Sequence, residues 1–122
     1  MAKSVLIVED NEHLRRILAS ILRFSGYEIL EAQTGAEAIA KAISAQPNLI
    51  LMDLDLPDIT GIAAAKAIKK SSATARIPII ACSAWSGNQS KDEALRAGMV
   101  DYLQKPIATE LIKAKIEEFL SS

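Results

Sequence analysis

The 122-residue chain has one cysteine, one histidine and one tryptophan, and aromatic residues make up only 4% of it. The lone Cys82 can form neither an internal disulfide nor a multi-cysteine zinc site, which fits a reducing compartment. Its place in an apolar run marks it as a buried structural thiol. With His13 alone, no histidine cluster can hold zinc either. An excess of either charge is also missing, since 14 Lys plus Arg stand against 15 Asp plus Glu. No basic surplus is left to neutralise a phosphate backbone, so the usual electrostatic basis of nucleic-acid binding is absent. No stretch approaches the roughly 18 apolar residues of a membrane span. The run Val5 to Val8 is too short, and too soon followed by acids, to be the core of a signal peptide. These absences predict a cytoplasmic protein with no nucleic-acid and no membrane partner. Repeats, linkers and low-complexity segments are lacking too, so residues 1–122 are expected to form a single domain. Half the residues are apolar, and a chain of this length buries roughly two-thirds of its unfolded surface, enough for one core without staples.

Two hydrophobic periods alternate along the chain. Val5 to Val8, Leu49 to Met52 and Ile79 to Cys82 are short, branched and apolar, as strands buried on both faces are. Tyr27 to Glu31 and Val100 to Leu103 mix polar with apolar positions and suit the edges of a sheet. Between the strands, Leu14, Ile17, Leu18, Ile21 and Leu22 follow helical spacing, and Ala36, Ile39, Ala42 and Ile43 repeat it. Further helices are expected near 60–70, 87–97 and 108–120, the last with Ile112, Ile116, Phe119 and Leu120 inward. Gly26 and Gly98 stand where helices should end, and Thr34 to Glu37 forms a capping-box pattern. The whole reads as (βα)5, an α/β doubly wound open parallel sheet of flavodoxin-like architecture with strand order 2-1-3-4-5.

In such sheets ligands bind beyond the carboxyl ends of the strands. Those ends carry Glu9 and Asp10, then Asp53, Ser83 and Lys105. Any one of them could be an ordinary turn residue. Together, three carboxylates beside one lysine would repel unless a cation neutralised them, and Mg2+ is the natural choice for oxygen donors. A carboxylate beside that metal, faced by a hydroxyl and an ammonium, can accept a phosphoryl group as an acyl phosphate.

These residues resemble the receiver domains of two-component response regulators, the CheY-like and DivK-like single-domain regulators. The resemblance runs from VLIVEDNE through LILMDLDLPDITG and IIACSA to YLQKPI, essentially the whole chain. Asp10, Asp53, Ser83 and Lys105 lie 43, 30 and 22 positions apart in turn, spacings similar to the family's own. The strand order above is also the family's, so it follows from the resemblance as much as from the pattern. The resemblance implies that Asp53 is the phosphoacceptor. It implies that Mg2+ is held by Asp10 and Asp53, by Glu9 directly or through water, and by the backbone carbonyl of Asp55. Ser83 and Lys105 would hold phosphoryl oxygens, and Lys105-Pro106 would be a cis peptide. Ser83 and Tyr102 would form the switch, with the small Ala84 leaving room for the ring to turn inward. The implied phosphodonor is a sensor histidine kinase or histidine phosphotransfer protein, facing Leu14, Arg15 and Leu18 of the first helix. The implied output face is the fourth helix, fifth strand and fifth helix, on a monomer or a phosphorylation-dependent dimer. Self-phosphorylation and self-hydrolysis would be its only catalysis, so the chain would not be a conventional enzyme.

Two departures bear on rate: aspartate at position 55 would repel phosphodonors and water, and Trp85 would screen the site. A solvated acid and a loop tryptophan are the plainer readings of both. His13 has no partner acid or cysteine in register and should face solvent, and Lys113, Lys115, Glu117 and Glu118 read as helix surface. Two other functions compete with this one. Asp53-Leu54-Asp55 resembles the DxD nucleophile of haloacid-dehalogenase-type phosphatases, but those enzymes place it after the first strand, with their acidic pair late in the chain. A receiver-like interaction domain without phosphorylation is disfavoured by the joint presence of Asp10, Asp53, Ser83 and Lys105.

Overall fold

The computed structural model of the chain describes residues 2–84 and 88–120. Within them strands and helices alternate: β1 (Ser4–Val8), α1 (Glu12–Phe24), β2 (Glu28–Ala32), α2 (Gly35–Ala45), β3 (Leu49–Asp53), α3 (Gly61–Lys70), β4 (Ile79–Ser83), α4 (Asn88–Arg96), β5 (Asp101–Gln104) and α5 (Thr109–Leu120). All strand pairs are parallel, in the order β2-β1-β3-β4-β5. The fold class and the edge positions of β2 and β5 are those expected from the sequence. Each edge strand starts one residue later than the pattern suggested. The Tyr27 amide is spent on the C-terminal turn of α1, bonding Leu22 O at 3.2 Å, and the Val100 amide leads into the sheet through Ile79 O at 2.8 Å. Among the described residues, no helix is long and apolar enough to cross a membrane.

Alternation along the strands divides the core in two. Val5, Ile7, Leu49, Leu51, Ile80 and Leu103 pack with Ala19 and Leu22 of α1 and with Ile112 and Ile116 of α5. Leu6, Val8, Ile50, Met52, Ile79 and Ala81 pack with the alanine-rich inner faces of α2 and α3 and with Ala94 of α4. Because β3 and β4 are buried along their full length, their only free ends are the tips, and Asp53 and Ser83 occupy them.

The chain passes abruptly from β1 to α1 and from β2 to α2, and by a longer loop from β3 to α3, with polar residues gathered at the carboxyl edge. Asn11 caps α1 through Leu14 N at 3.0 Å, Thr34 caps α2 through Glu37 N at 3.1 Å and Thr60 caps α3 through Ala63 N at 3.1 Å. Gly26 and Gly98, expected at helix ends, have φ values of 98° and 96° there.

Helix α1 departs from its sequence reading. Its inward residues are Arg15, Ala19 and Leu22, while Leu14 and Ile17 remain 47% and 45% exposed. The apolar stripe is real, but the helix is rotated so that most of it borders an open groove. Arg15, assigned by resemblance to the partner-facing side, is buried. In α2, likewise, Ala36 and Ile43 face outward while Ala38 and Ala42 pack inward.

Gly61, the first residue of α3, lies against the end of β3. An added Cβ would meet the Asp53 carbonyl oxygen and come within 2.7 Å of Leu54 Cα, both backbone atoms with no room to give. We expect Gly61→Ala to destabilise the fold by about 1–3 kcal/mol despite alanine's better helix propensity, as measured by denaturant unfolding. Unchanged stability would mean that this junction is looser than it looks.

Candidate functional site at the carboxyl edge of the sheet

Glu9 and Asp10 directly follow β1, Asp53 ends β3, Ser83 ends β4, and Lys105 is the first residue after β5. The parallel register carries these ends to one edge, with Asp53 opposite Cys82 and Ser83 opposite Gln104. Glu9, Asp53 and Ser83 are buried, whereas Asp10 is exposed. Lys105 joins the two buried acids, with Nζ 2.6 Å from Glu9 Oε1 and 3.5 Å from Asp53 Oδ2. The Lys105 amide also donates to Ser83 O at 2.7 Å, which fixes the start of the loop, and the Lys105-Pro106 peptide is cis.

The neighbouring backbone is equally constrained. Asp53 Oδ1 accepts from the Asp55 amide at 3.1 Å, and Glu9 Oε2 accepts from the Asn11 amide at 3.2 Å. Arg15 donates from Nη1 to Glu9 O at 2.9 Å and from Nε to Glu31 Oε1 at 3.0 Å, tying the acidic turn to β2. Sequence reasoning missed this role of Arg15, because helical periodicity shows neither the rotation of α1 nor a partner 16 residues away.

The electrostatics follow from burial and crowding. Burial pushes the Asp53 carboxyl up and the adjacent Glu9 adds to this against the Asp55 hydrogen bond, so that it ionises only at about 6. Burial also opposes the charge on Glu9, but hydrogen bonding to Lys105 and Asp53 outweighs it and holds Glu9 below the usual range. Lys105 is raised: burial alone would lower it, but the hydrogen bond to Glu9 and the charge of Asp53 prevail. Cys82, buried next to these groups, is pushed up to about 12 and is an unreactive thiol, as expected.

Two acids against one ammonium leave the edge short of positive charge, and Asp10 adds a third carboxylate. One oxygen each from Glu9, Asp10 and Asp53 lies within 4.8 Å of the others, an all-oxygen donor set that suits a hard divalent cation such as Mg2+. Asp55 is exposed in the loop after β3. Tyr102 is half-buried against the α2–α4 side of the core; its strand partner is Ala81, so it shares a sheet face with Ser83. Ala84 is exposed, and Trp85 lies outside the described residues. His13 faces solvent, whereas Lys115 is more than helix surface, since it reaches Asp101 of β5 at 2.9 Å.

Beside Asp53 and Lys105 opens a groove of about 470 Å3, walled mainly by Leu14, Ile17 and Ile21 of α1 and by Pro106 and Ile112 on the opposite side.

Residues 5–117 match the family described as the response regulator receiver domain. The chain is a response regulator receiver domain. This receiver is 34% identical over 120 residues to the polar-differentiation response regulator DivK of Brucella ovis, covering 98% of each chain. Its fold superposes on the chemotaxis protein CheY4 of Vibrio cholerae with a TM-score of 0.93 at 29% identity, covering 98% of this chain and 100% of that one. It also matches the receiver domain of the sensor histidine kinase PA1611 of Pseudomonas aeruginosa, a structure with a magnesium ion coordinated in the active-site cleft. There the TM-score is 0.89 and the identity 31%, with full coverage of both chains. The receiver is thus a signalling module of two-component systems rather than a turnover enzyme.

The Asp53 carboxyl ionises near 3.8 ordinarily and near 6 in the folded receiver. The fold therefore retains that proton across the window, and stability is lost as pH rises through it, with the full cost present at neutral pH. Asp53→Asn should stabilise the metal-free receiver at pH 7 by about 1–3 kcal/mol, and the gain should shrink towards zero near pH 4. Denaturant melts in chelator at both pH values check this; an equal gain at both would contradict it.

Proposed function

We propose that residues 1–122 act as one phosphoacceptor unit, taking a phosphoryl group from the phosphohistidine of a sensor histidine kinase or histidine phosphotransfer protein onto Asp53. The observation that carries this reading is the convergence of Asp53, Glu9, Asp10 and Lys105 at one sheet edge. Glu9, Asp10 and Asp53, with the backbone carbonyl of Asp55, would hold Mg2+. When bound, the metal supplies positive charge that offsets repulsion between the Asp53 carboxylate and the incoming phosphoryl oxygens. The magnesium ion in the cleft of the PA1611 receiver supports this assignment.

In the transfer itself, an Asp53 oxygen forms a bond to phosphorus as the phosphorus–nitrogen bond of the donor breaks, the imidazole keeping the electron pair. Lys105 is already within 3.5 Å of Asp53 and turns from Glu9 to a phosphoryl oxygen. Ser83 takes another oxygen through its hydroxyl. The acyl phosphate carries about −1.5 to −2 of charge where the free carboxylate carried about −1, and the differential contacts of Ser83 and Lys105 with it bias the equilibrium read out by Tyr102. Exposed Leu95, Val100 and Leu111 lie on or beside α4, β5 and α5, which supports that side as the output face, used by a monomer or a phosphorylation-dependent dimer.

The donor's docking surface is the outer stripe of α1. Leu14, Ile17, Ile21 and Phe24 recur at alternating spacings of three and four, the seam by which one helix packs along another, and Phe24 is 95% exposed. A helical phosphotransfer partner fits that seam with its histidine brought over Asp53. We place the exchange in the cytoplasm, which the unpaired Cys82 suits.

Intact mass after treatment with acetyl phosphate should show a Mg2+-dependent phosphoryl adduct that is absent from Asp53→Asn. An adduct persisting in that variant would overturn the assignment of the acceptor. Paired Leu14→Ser and Ile17→Ser changes should slow transfer from a phosphorylated histidine phosphotransfer protein by about tenfold or more while leaving acetyl phosphate labelling unchanged. Equal slowing with both donors would remove α1 from the docking surface.

A further inference from the structure

The loop after β3, residues 54–60, carries the Asp55 carbonyl proposed above for the metal. Its ends are fixed: the Leu54 amide bonds Cys82 O at 3.0 Å, and the Gly61 amide returns to Leu54 O at 2.9 Å. Its outer part is held by a different device. Asp58 Oδ1 accepts from the Gly35 amide at 2.8 Å, and Oδ2 accepts from the Ala36 amide at 2.9 Å. Both carboxylate oxygens are thus engaged by the first turn of α2, where amides lack helical partners and the helix dipole favours an anion. Thr34 serves the next amides, bonding Glu37 N at 3.1 Å, so side-chain cap and carboxylate share the helix start without competing. Beside this clamp Ile59 covers the α-carbon of Gly35 so closely that an added Cβ would collide with its side chain.

We propose that Asp58 is a positioning residue for the phosphorylation site: by clamping the β3–α3 loop onto the start of α2, it sets the place of the Asp55 backbone and so the affinity for Mg2+. The reasoning rests on the proposed function, which supplies the metal. Asp55 lies between two anchored points, the end of β3 and Asp58. Its amide is already oriented by Asp53 Oδ1 at 3.1 Å, and its carbonyl takes its direction from the stretch of chain leading to Asp58. Removing the clamp detaches that stretch from the start of α2 while the sheet, the Glu9–Lys105 pair and the cap at Thr60 stay in place. The two amide bonds also hold the Asp58 carboxyl well below the usual range, at about 2, so the clamp stays charged at any physiological pH. Groups that outer-shell contacts orient typically lose at least tenfold in metal affinity when those contacts go.

The test compares the wild-type chain with Asp58→Ala and Asp58→Asn, the latter keeping one acceptor oxygen and no charge. Two readouts are taken: amide hydrogen exchange of Gly35, Ala36, Asp55 and Leu56 without metal, and the Mg2+ dissociation constant by titration calorimetry. Asp58→Ala should accelerate exchange at those amides while the sheet keeps its protection, and should weaken Mg2+ by about tenfold. Asp58→Asn should fall between it and the wild type, and serves if the alanine variant does not fold. Amides released with Mg2+ affinity unchanged would reduce Asp58 to a helix cap and overturn the inference, as would amides that stay protected. A wild-type chain that takes up no Mg2+ overturns the proposed function and this inference together, whereas equal binding by wild type and variants overturns the inference alone.

Discussion

Two buried carboxylates and one half-buried ammonium at the tip of a parallel sheet set the terms for the rest of this receiver. Lys105 sits 2.6 Å from Glu9 and 3.5 Å from Asp53, so one cation is divided between two anions and satisfies the nearer one better. Like charges at such range cannot both be fully ionised without compensation. Asp53 takes the deficit as a raised affinity for its proton. The fold tolerates this local cost because β1, β3 and β4 are packed on both sides and present the groups from rigid ends. The site is unstable in charge but stable in geometry, a combination that suits the metal binding and phosphoryl acceptance proposed for it.

Parallel pairing explains how so few residues produce the arrangement. In a parallel sheet all strands finish at the same edge, so residues far apart in sequence meet by finishing their strands together. Alternation then sorts them by face. Asp53 lies on the face shared with Leu49 and Leu51, towards α1 and α5, while Ser83 and Tyr102 lie on the face shared with Ile79 and Ala81, towards α2, α3 and α4.

Much of this was legible in the sequence. Strands buried on both faces give unbroken branched runs, and those runs end in the acids and the hydroxyl found at the edge, while the lysine follows the mixed edge strand β5. Helical spacing in α1 was also legible, but spacing cannot say which side of a helix meets the sheet. Arg15 therefore passed for a surface residue although it is buried against Glu9 and Glu31. The sharing of Lys105 between two acids was hidden for a related reason: it depends on distances across 96 residues. Asp58 offered no signal, because the amides it engages lie 23 and 22 positions earlier and any turn sequence of the type LPD would look the same.

The exposed seam of α1 has a consequence for discrimination. Leucine, isoleucine and phenylalanine side chains attract any amphipathic helix of matching spacing and carry little information about which one has arrived. With the docking surface proposed for α1, recognition of a particular partner falls to the polar residues flanking the stripe, such as Glu12, His13 and the solvent-facing Arg16 that pairs with Glu12. Related receivers sharing one cell could keep the same greasy strip and still avoid cross-talk by varying only that border. Insulation between parallel signalling lines would thus be written in a few surface charges, leaving the phosphate chemistry untouched.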